Sequence, residues 1–255
     1  MSMNNFEKTV ILRIRGQERE HVEDYVAVEK RVRISVNGRY LVSLYCSPDM
    51  IREFVAGVVH NEGLISGPWC AERMSIVHGD EITVDIPADG EPSRGERTIT
   101  SGCAGGISIA RKLPDEKNTD PALIPATQVR EIYSVFQRKA DGYHMTGGVH
   151  SAALTDGREI LVFAEDIGRH NAVDKVIGSC LLEQIPFAGR MMLASGRLSS
   201  EIVTKCARAG IPFAVSRAAP TSLAVKIAAA AGITLVGFVR GGRMNVYSEP
   251  QRIGL

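Results

Sequence analysis

From Gln128 onward the chain alternates short apolar runs with helix-patterned stretches, and this alternation restricts the fold more than any other feature. Helical spacing is predicted over Gln128 to Lys139, Asn171 to Leu182 and Ser199 to Ala209, the last ending at Gly210. A further helix opens at Pro220 and runs to Ala230, with Gly232 just beyond its end. Between them lie predicted strands at Gly148 to Thr155, Glu159 to Ala164, Met191 to Ala194 and Pro212 to Val215, then Thr234 to Val239 and Met244 to Tyr247. Strands alternating with helices imply an α/β layer, here expected around a largely parallel sheet.

The first 115 or so residues read differently, as strands and hairpins with one helix. Val32, Ile34 and Val36 alternate, Asn37-Gly38 supplies a hairpin turn, and Tyr40 to Tyr45 returns. A helix is expected over Asp49 to Asn61, a strand over Ile82 to Ile86, and a loop over Pro87 to Arg97. The charged, proline-containing run Lys112 to Pro125 is taken as the linker. The expected organisation is therefore a smaller α+β domain over residues 1–115 and an α/β domain over residues 116–255.

Hydrophobic residues at 44% and charged residues at 23% of 255 positions exclude a disordered or collagen-like chain. The uncharged run Ile227 to Val239 spans 13 residues, short of the roughly 20 that a membrane helix needs. Glu7 and Lys8 precede any apolar run, so no secretory pattern opens the chain, and a soluble, cytoplasmic protein is expected. A formal net charge of +1 argues against bulk nucleic-acid binding. The balance is uneven, however: Ile185 to Leu255 holds seven Arg and two Lys against Glu201 and Glu249 alone. Such asymmetry either is accidental or marks where an anionic ligand docks.

Five cysteines with no export signal are read as reduced thiols. Cys180 falls on the apolar series Ala172, Val173, Val176, Ile177, and Cys206 on Ile202, Val203, Ala209, so both are core side chains. Cys46 ends a strand and Cys70 follows Trp69, neither in a recognisable chemical setting. Cys103 stands apart in Ser101-Gly102-Cys103-Ala104-Gly105-Gly106. Its glycines permit tightly turned backbone, and a short helix over Ile107 to Lys112 would place unpaired N–H groups against the thiol and favour the thiolate. A plain flexible loop fits the local sequence equally well.

Three other segments concentrate polar groups. Glu165-Asp166-Ile167-Gly168-Arg169-His170-Asn171 links a strand to a helix, where α/β folds bind ligands, or else is a solvated loop capped by Asp166 or Asn171. Thr146-Gly147-Gly148-Val149-His150 brings a histidine to the same rim. In Phe238-Val239-Arg240-Gly241-Gly242-Arg243 two arginines flank two glycines, which suits an anion gripped by guanidinium forks and backbone N–H groups, or a hairpin turn with exposed arginines. A zinc deaminase is excluded, because His150-Ser151-Ala152 lacks the required glutamate and the chain contains no C-x-x-C.

Together these motifs resemble one family, the formate dehydrogenase accessory proteins known as FdhD. The resemblance rests on Ser101-Gly102-Cys103, on Thr146 to Leu154, on Glu165 through His170-Asn171-Ala172-Val173-Asp174-Lys175, on Ser195-Gly196-Arg197, on Gly237 to Arg243 and on Pro250-Gln251-Arg252. It implies a cytidine-deaminase-like layered domain without zinc, a smaller N-terminal domain, and a homodimer. It also implies a sulfurtransferase that carries sulfur from a cysteine desulfurase to the molybdenum cofactor, bis-molybdopterin guanine dinucleotide, for formate dehydrogenase. Carried over by position, Cys103 would hold the persulfide, and Phe238, Val239, Arg240, Gly241, Gly242 and Arg243 would bind the cofactor. One departure is clear: many family members have C-x-x-C in the reactive loop, whereas here Gly106 occupies the second position. One thiolate suffices to accept and donate a sulfane sulfur, but no local second thiol can resolve the persulfide.

Two other functions are compatible with these residues. A chaperone would bind the cofactor without transferring sulfur. A cysteine hydrolase would pair Cys103 with His170 and Asp174 within hydrogen-bond reach.

Overall fold

The computed structural model describes residues 5–92, 97–99, 107–109, 113–114 and 116–255. It opens with a two-stranded antiparallel ribbon, β1 (Phe6–Arg15) and β2 (Glu18–Ala27), turning at left-handed Gly16 (φ 62°). The hairpin expected at Asn37-Gly38 follows as β3 (Lys30–Val36) and β4 (Arg39–Cys46). Asn37 and Gly38 take φ of 49° and 76°, the doubly left-handed turn whose twist suits a two-residue hairpin. After α1 (Ile51–Glu62) come the short β5 (Ile65–Ser66), then β6 (Ser75–His78) and β7 (Ile82–Ile86). These complete a four-stranded sheet in the order β4-β3-β7-β6. Its buried face, Val32, Ile34, Val36, Ile82, Val84 and Ile86, packs on Phe54, Val55 and Val58 of α1.

Three short strands lead toward the second half: β8 (Glu91–Pro92), which pairs with β5, then β9 (Arg97–Ile99) and β10 (Ile107–Ile109), which pair with each other antiparallel. The helix expected over Ile107 to Lys112 is therefore not where the sequence placed it; Ile107 and Ile109 are β-branched, flank Ser108 and join a strand pair instead. The expected linker is anchored rather than loose. Within it β11 (Ile124–Pro125) runs parallel to β18 (Ile253–Gly254), and the Arg252 guanidinium donates to the carbonyls of Asn118, Asp120 and Gly232.

The second half contains α2 (Ala126–Arg138), α3 (Asp141–Thr146), β12 (His150–Thr155), β13 (Ile160–Asp166), α4 (Arg169–Leu182) and β14 (Met191–Ala194). It ends with α5 (Ser200–Ala209), β15 (Phe213–Ser216), α6 (Ser222–Ala231), β16 (Thr234–Arg240) and β17 (Arg243–Ser248). Six strands form one sheet in the order β13-β12-β14-β15-β16-β17. The sheet is mixed, which corrects the expectation of a largely parallel one. Only β14-β15 and β15-β16 are parallel; β12 runs antiparallel to both its neighbours, and β17 to β16. The links from Thr155 to Ile160 and from Arg240 to Arg243 are too short for a crossover, so those pairs close as hairpins.

Alternation along these strands sorts the side chains into two cores. Leu154, Val162, Met192, Ala214 and Leu235 face α4, α5 and α6, whereas Ala153, Leu193, Val215 and Val236 face Val129, Ile132 and Phe136 of α2. The result is three layers, helix on sheet on helix. α1 packs along α4, and the crossing depends on two glycines: a Cβ at Gly57 would lie 1.9 Å from the Asp174 carbonyl oxygen, and one at Gly178 would lie 1.8 Å from that of Glu53.

Candidate functional site

The C-terminal ends of β14, β15 and β16 lie at one edge of the six-stranded sheet, beside the start of β12 and the end of β13. That edge is where an α/β sheet leaves room for a ligand, and α4, α5 and α6 all begin there. Sequence positions scattered between residues 150 and 243 thereby converge.

At its centre His150 Nδ1 lies 3.3 Å from the Ser195 hydroxyl, which also accepts the Ser151 N–H at 2.9 Å. The Ser151 hydroxyl donates to Glu165, whose carboxylate accepts the N–H groups of Gly142 and Tyr143 and so caps α3. Gly196 passes between His150 and Arg169: a Cβ there would lie 3.1 Å from Arg169 Cδ and 3.4 Å from His150 Nδ1. Burial first, then the Arg169 guanidinium and His170, hold the His150 imidazole below its ordinary pKa. His170 Nε2 is 2.9 Å from Glu201 Oε2 and 3.1 Å from the Ser199 hydroxyl. A cleft of about 250 Å³ opens beside these groups, with Tyr133, Phe136, Tyr143, His144, His150 and Arg217 among its walls. The Tyr133 hydroxyl donates to the Ala194 carbonyl and accepts the Arg217 N–H, and burial pushes its pKa up to about 12. Tyr133 and Arg217 were not singled out from sequence; the only signal was the position of Arg217 just after an apolar strand.

The segment from Glu165 to Lys175 is chiefly internal. Asp166 is fully buried and accepts from the N–H groups of Ser47 and Gly168 and from the Asn171 amide. Lys175, also fully buried, places Nζ 2.8 Å from Asp166 and 2.7 Å from Asp49. Burial opposes its charge, but Asp166 and Asp49 outweigh that and hold the ammonium above the ordinary lysine range. Asp166 thus shapes the loop and fastens it to the N-terminal sheet. Asp174 is likewise engaged, with Lys205 Nζ at 2.6 Å and the Asn61 amide at 2.6 Å. A hydrolase using Asp174 to orient His170 finds no support in that arrangement.

Phe238 to Arg243 forms the end of β16 and its turn. Gly241 and Gly242 take φ of 58° and 77°, Arg240 pairs with Arg243 across the turn, and both arginines are exposed. Phe238 is itself left-handed (φ 55°) at an irregularity in the ladder, and its N–H donates to Ala218 just past β15. The Arg240 guanidinium lies 5.4 Å from the Phe238 ring centre, and Val239 is buried. The hairpin turn with exposed arginines is therefore formed, on the same edge as Arg217.

Cys103 and its neighbours from Ser101 to Gly106 lie outside the described residues. Because β10 is a strand, a helix N-terminus starting at Ile107 no longer argues for a lowered thiol pKa. The other thiols are described. Cys180 and Cys206 are buried, and burial pushes both up to about 12; burial raises Cys46 as well. Cys70 Sγ lies 2.9 Å from Glu72.

Comparison with known proteins agrees with this chain along nearly its whole length. The family model described as the FdhD/NarQ family matches residues 27–254. The sulfur carrier protein FdhD of Listeria monocytogenes serotype 4b is 34% identical over 243 residues, covering 92% of this chain and 93% of that one. The protein of the same name from Sulfolobus acidocaldarius is 36% identical over 256 residues, covering 97% and 98%. Among solved structures, one assigned as a formate dehydrogenase accessory protein from Desulfotalea psychrophila superposes with a TM-score of 0.77 at 30% identity, covering 97% of this chain and 99% of that one. The chain belongs to the FdhD/NarQ family.

Proposed function

We propose that this protein is a sulfur carrier that serves formate dehydrogenase by delivering sulfur to its molybdenum cofactor, bis-molybdopterin guanine dinucleotide. The observation that carries the proposal is the match over nine-tenths of the chain to proteins named as sulfur carriers. The thiol inventory supports it: Cys46, Cys180 and Cys206 are buried and held protonated, which leaves Cys70 and Cys103. Cys70 Sγ lies against the Glu72 carboxylate, which disfavours a thiolate, whereas Cys103 is framed by Gly102, Gly105 and Gly106 in the segment that resembles the family's reactive loop. In the loading step the Cys103 thiolate attacks the outer sulfur of a persulfide on a cysteine desulfurase. One S–S bond forms, the desulfurase S–S bond breaks, and the desulfurase thiolate departs, so no outside oxidant is consumed. The cofactor is the acceptor substrate, and the segment Phe238 to Arg243 would hold its anionic groups through Arg240 and Arg243.

Gly106 in place of a second cysteine favours one other function, a chaperone that binds the cofactor without carrying sulfur. Formate dehydrogenase activity in cells deprived of their own carrier separates the two. Rescue by Cys180→Ala but not by Cys103→Ala supports sulfur transfer; full rescue by Cys103→Ala supports the chaperone.

A further inference from the structure

The motif Ser195-Gly196-Arg197 contributes Ser195 and Gly196 to the surroundings of His150, but its arginine takes no part there. Arg197 is exposed and forms no ion pair among the described residues, and the same holds for Arg217, Arg240 and Arg243. Four guanidinium groups without a countercharge thus share one edge of the six-stranded sheet. Gathered like charges repel, and an anionic ligand relieves that repulsion.

The register sets the arginines in a row. Ala194 at the end of β14 pairs with Ser216 at the end of β15, and Val215 pairs with Val236 on β16. Arg217 is therefore the first residue past β15, Arg197 follows the end of β14 closely, and Arg240 closes β16. Neighbouring strands stand about 4.8 Å apart, so the connections that carry these side chains are adjacent. They are also fastened to one another. The Ser216 hydroxyl donates to the Gly196 carbonyl, the Leu198 N–H to the Ala219 carbonyl, and the Thr221 N–H to the Leu198 carbonyl. The Phe238 N–H donates to the Ala218 carbonyl and ties in β16, while the Tyr133 hydroxyl holds the Arg217 N–H from α2. The backbone beneath the arginines is thus fixed in advance, which reduces the ordering cost of gripping a ligand. Guanidinium forks match phosphate oxygens in pairs, and two linked phosphates offer such acceptors to more than one fork at once.

We propose that Arg197 and Arg217 bind a diphosphate group together with Arg240 and Arg243, the anion lying along the sheet edge from β14 to β16. This rests on the reading of the acceptor as a guanine dinucleotide, whose diphosphate bridges supply the group. It assigns to the connections after β14 and β15 a share of the binding otherwise carried by Phe238 to Arg243 alone. Arg217 also walls the cleft of about 250 Å³, which puts the diphosphate beside that cleft.

Isothermal titration calorimetry of the full chain with magnesium-free pyrophosphate, and separately with inorganic phosphate, tests this. Pyrophosphate should bind wild type about tenfold more tightly than phosphate, or better. Arg197→Gln and Arg217→Gln should each raise the pyrophosphate dissociation constant about tenfold, the scale of one lost charge-assisted contact, with unchanged circular dichroism spectra. Lys226→Gln, which removes an exposed charge from α6 instead, should leave that constant unchanged. A wild type that binds no pyrophosphate, or binds it no more tightly than phosphate, overturns the proposal. So does an equal weakening by Lys226→Gln, which would make the effect one of net charge. Weakening by Arg240→Gln but by neither Arg197→Gln nor Arg217→Gln also overturns it, while leaving Phe238 to Arg243 as an anion site. Sulfur loading is read by mass on Cys103, so failure here and failure of the sulfur-carrier reading remain distinguishable.

Discussion

Lys175 Nζ lies 2.8 Å from the Asp166 carboxylate, and neither side chain is exposed. The pair stands where the C-terminal α/β layers meet the N-terminal sheet: Asp166 also accepts the Ser47 N–H, and Lys175 also donates to Asp49 and to the Ser47 carbonyl. A loop whose sequence resembles a ligand-binding element is therefore largely committed to joining the two halves.

Lys175→Met should be strongly destabilising, because it leaves Asp166 buried without its countercharge. A loss of about 3–5 kcal/mol is expected. Guanidinium unfolding followed by circular dichroism measures it, and a loss below about 1 kcal/mol, the range of an exposed ion pair, would contradict the assignment.

The α1-α4 crossing predicts intolerance of a single methyl group. Gly178→Ala and Gly57→Ala each drive a Cβ into a backbone carbonyl of the facing helix, which can be relieved only by separating the helices. Overpacking of this kind costs about 1–3 kcal/mol or more. Thermal unfolding of both variants should show lowered midpoints; an unchanged midpoint for either would mean that the helices pack less closely than described.

His150 gives the protein a pH dependence with a definite sign. Its folded pKa lies below the unfolded value of about 6.5, so the unfolded chain binds its proton first as pH falls. This contribution is absent above the unfolded pKa, and stability declines as pH falls through the window just below it. Melting temperatures from about pH 7 down to about pH 5 should fall more steeply for wild type than for His150→Asn. Parallel curves would show that the imidazole does not resist protonation.

Cys180 and Cys206 should resist iodoacetamide in the native protein and react only after unfolding, since both are buried with thiols pushed up to about 12. Peptide mass spectrometry reads each position separately. Labelling of either thiol in the native state at neutral pH would contradict its place in the core.

Much of the α/β framework was legible because its signals are local. Met191 to Ala194 and Ile82 to Ile86 appear as strands at the predicted bounds, and Gly210 and Gly232 close their helices with φ of 77° and 70°. Strand direction was not legible, because it depends on which distant strand each segment meets. Nor was the buried role of Asp166, since its partner Ser47 lies 119 positions away. The ribbon Phe6–Ala27 was seen only as part of a strand-rich half, with no turn assigned at Gly16. In the candidate site, His150 and the glycine-arginine turn were found from their residues, while Tyr133 and Arg217 needed the sheet to bring them to one edge.

The most direct test of sulfur carrying is intact-protein mass spectrometry after incubation with a cysteine desulfurase and cysteine, with Cys103→Ala and Cys70→Ala beside wild type. Wild type and Cys70→Ala should gain about one sulfur mass that a reductant removes, and Cys103→Ala should gain none. Equal loading of Cys103→Ala, or no loading of wild type, would contradict the account.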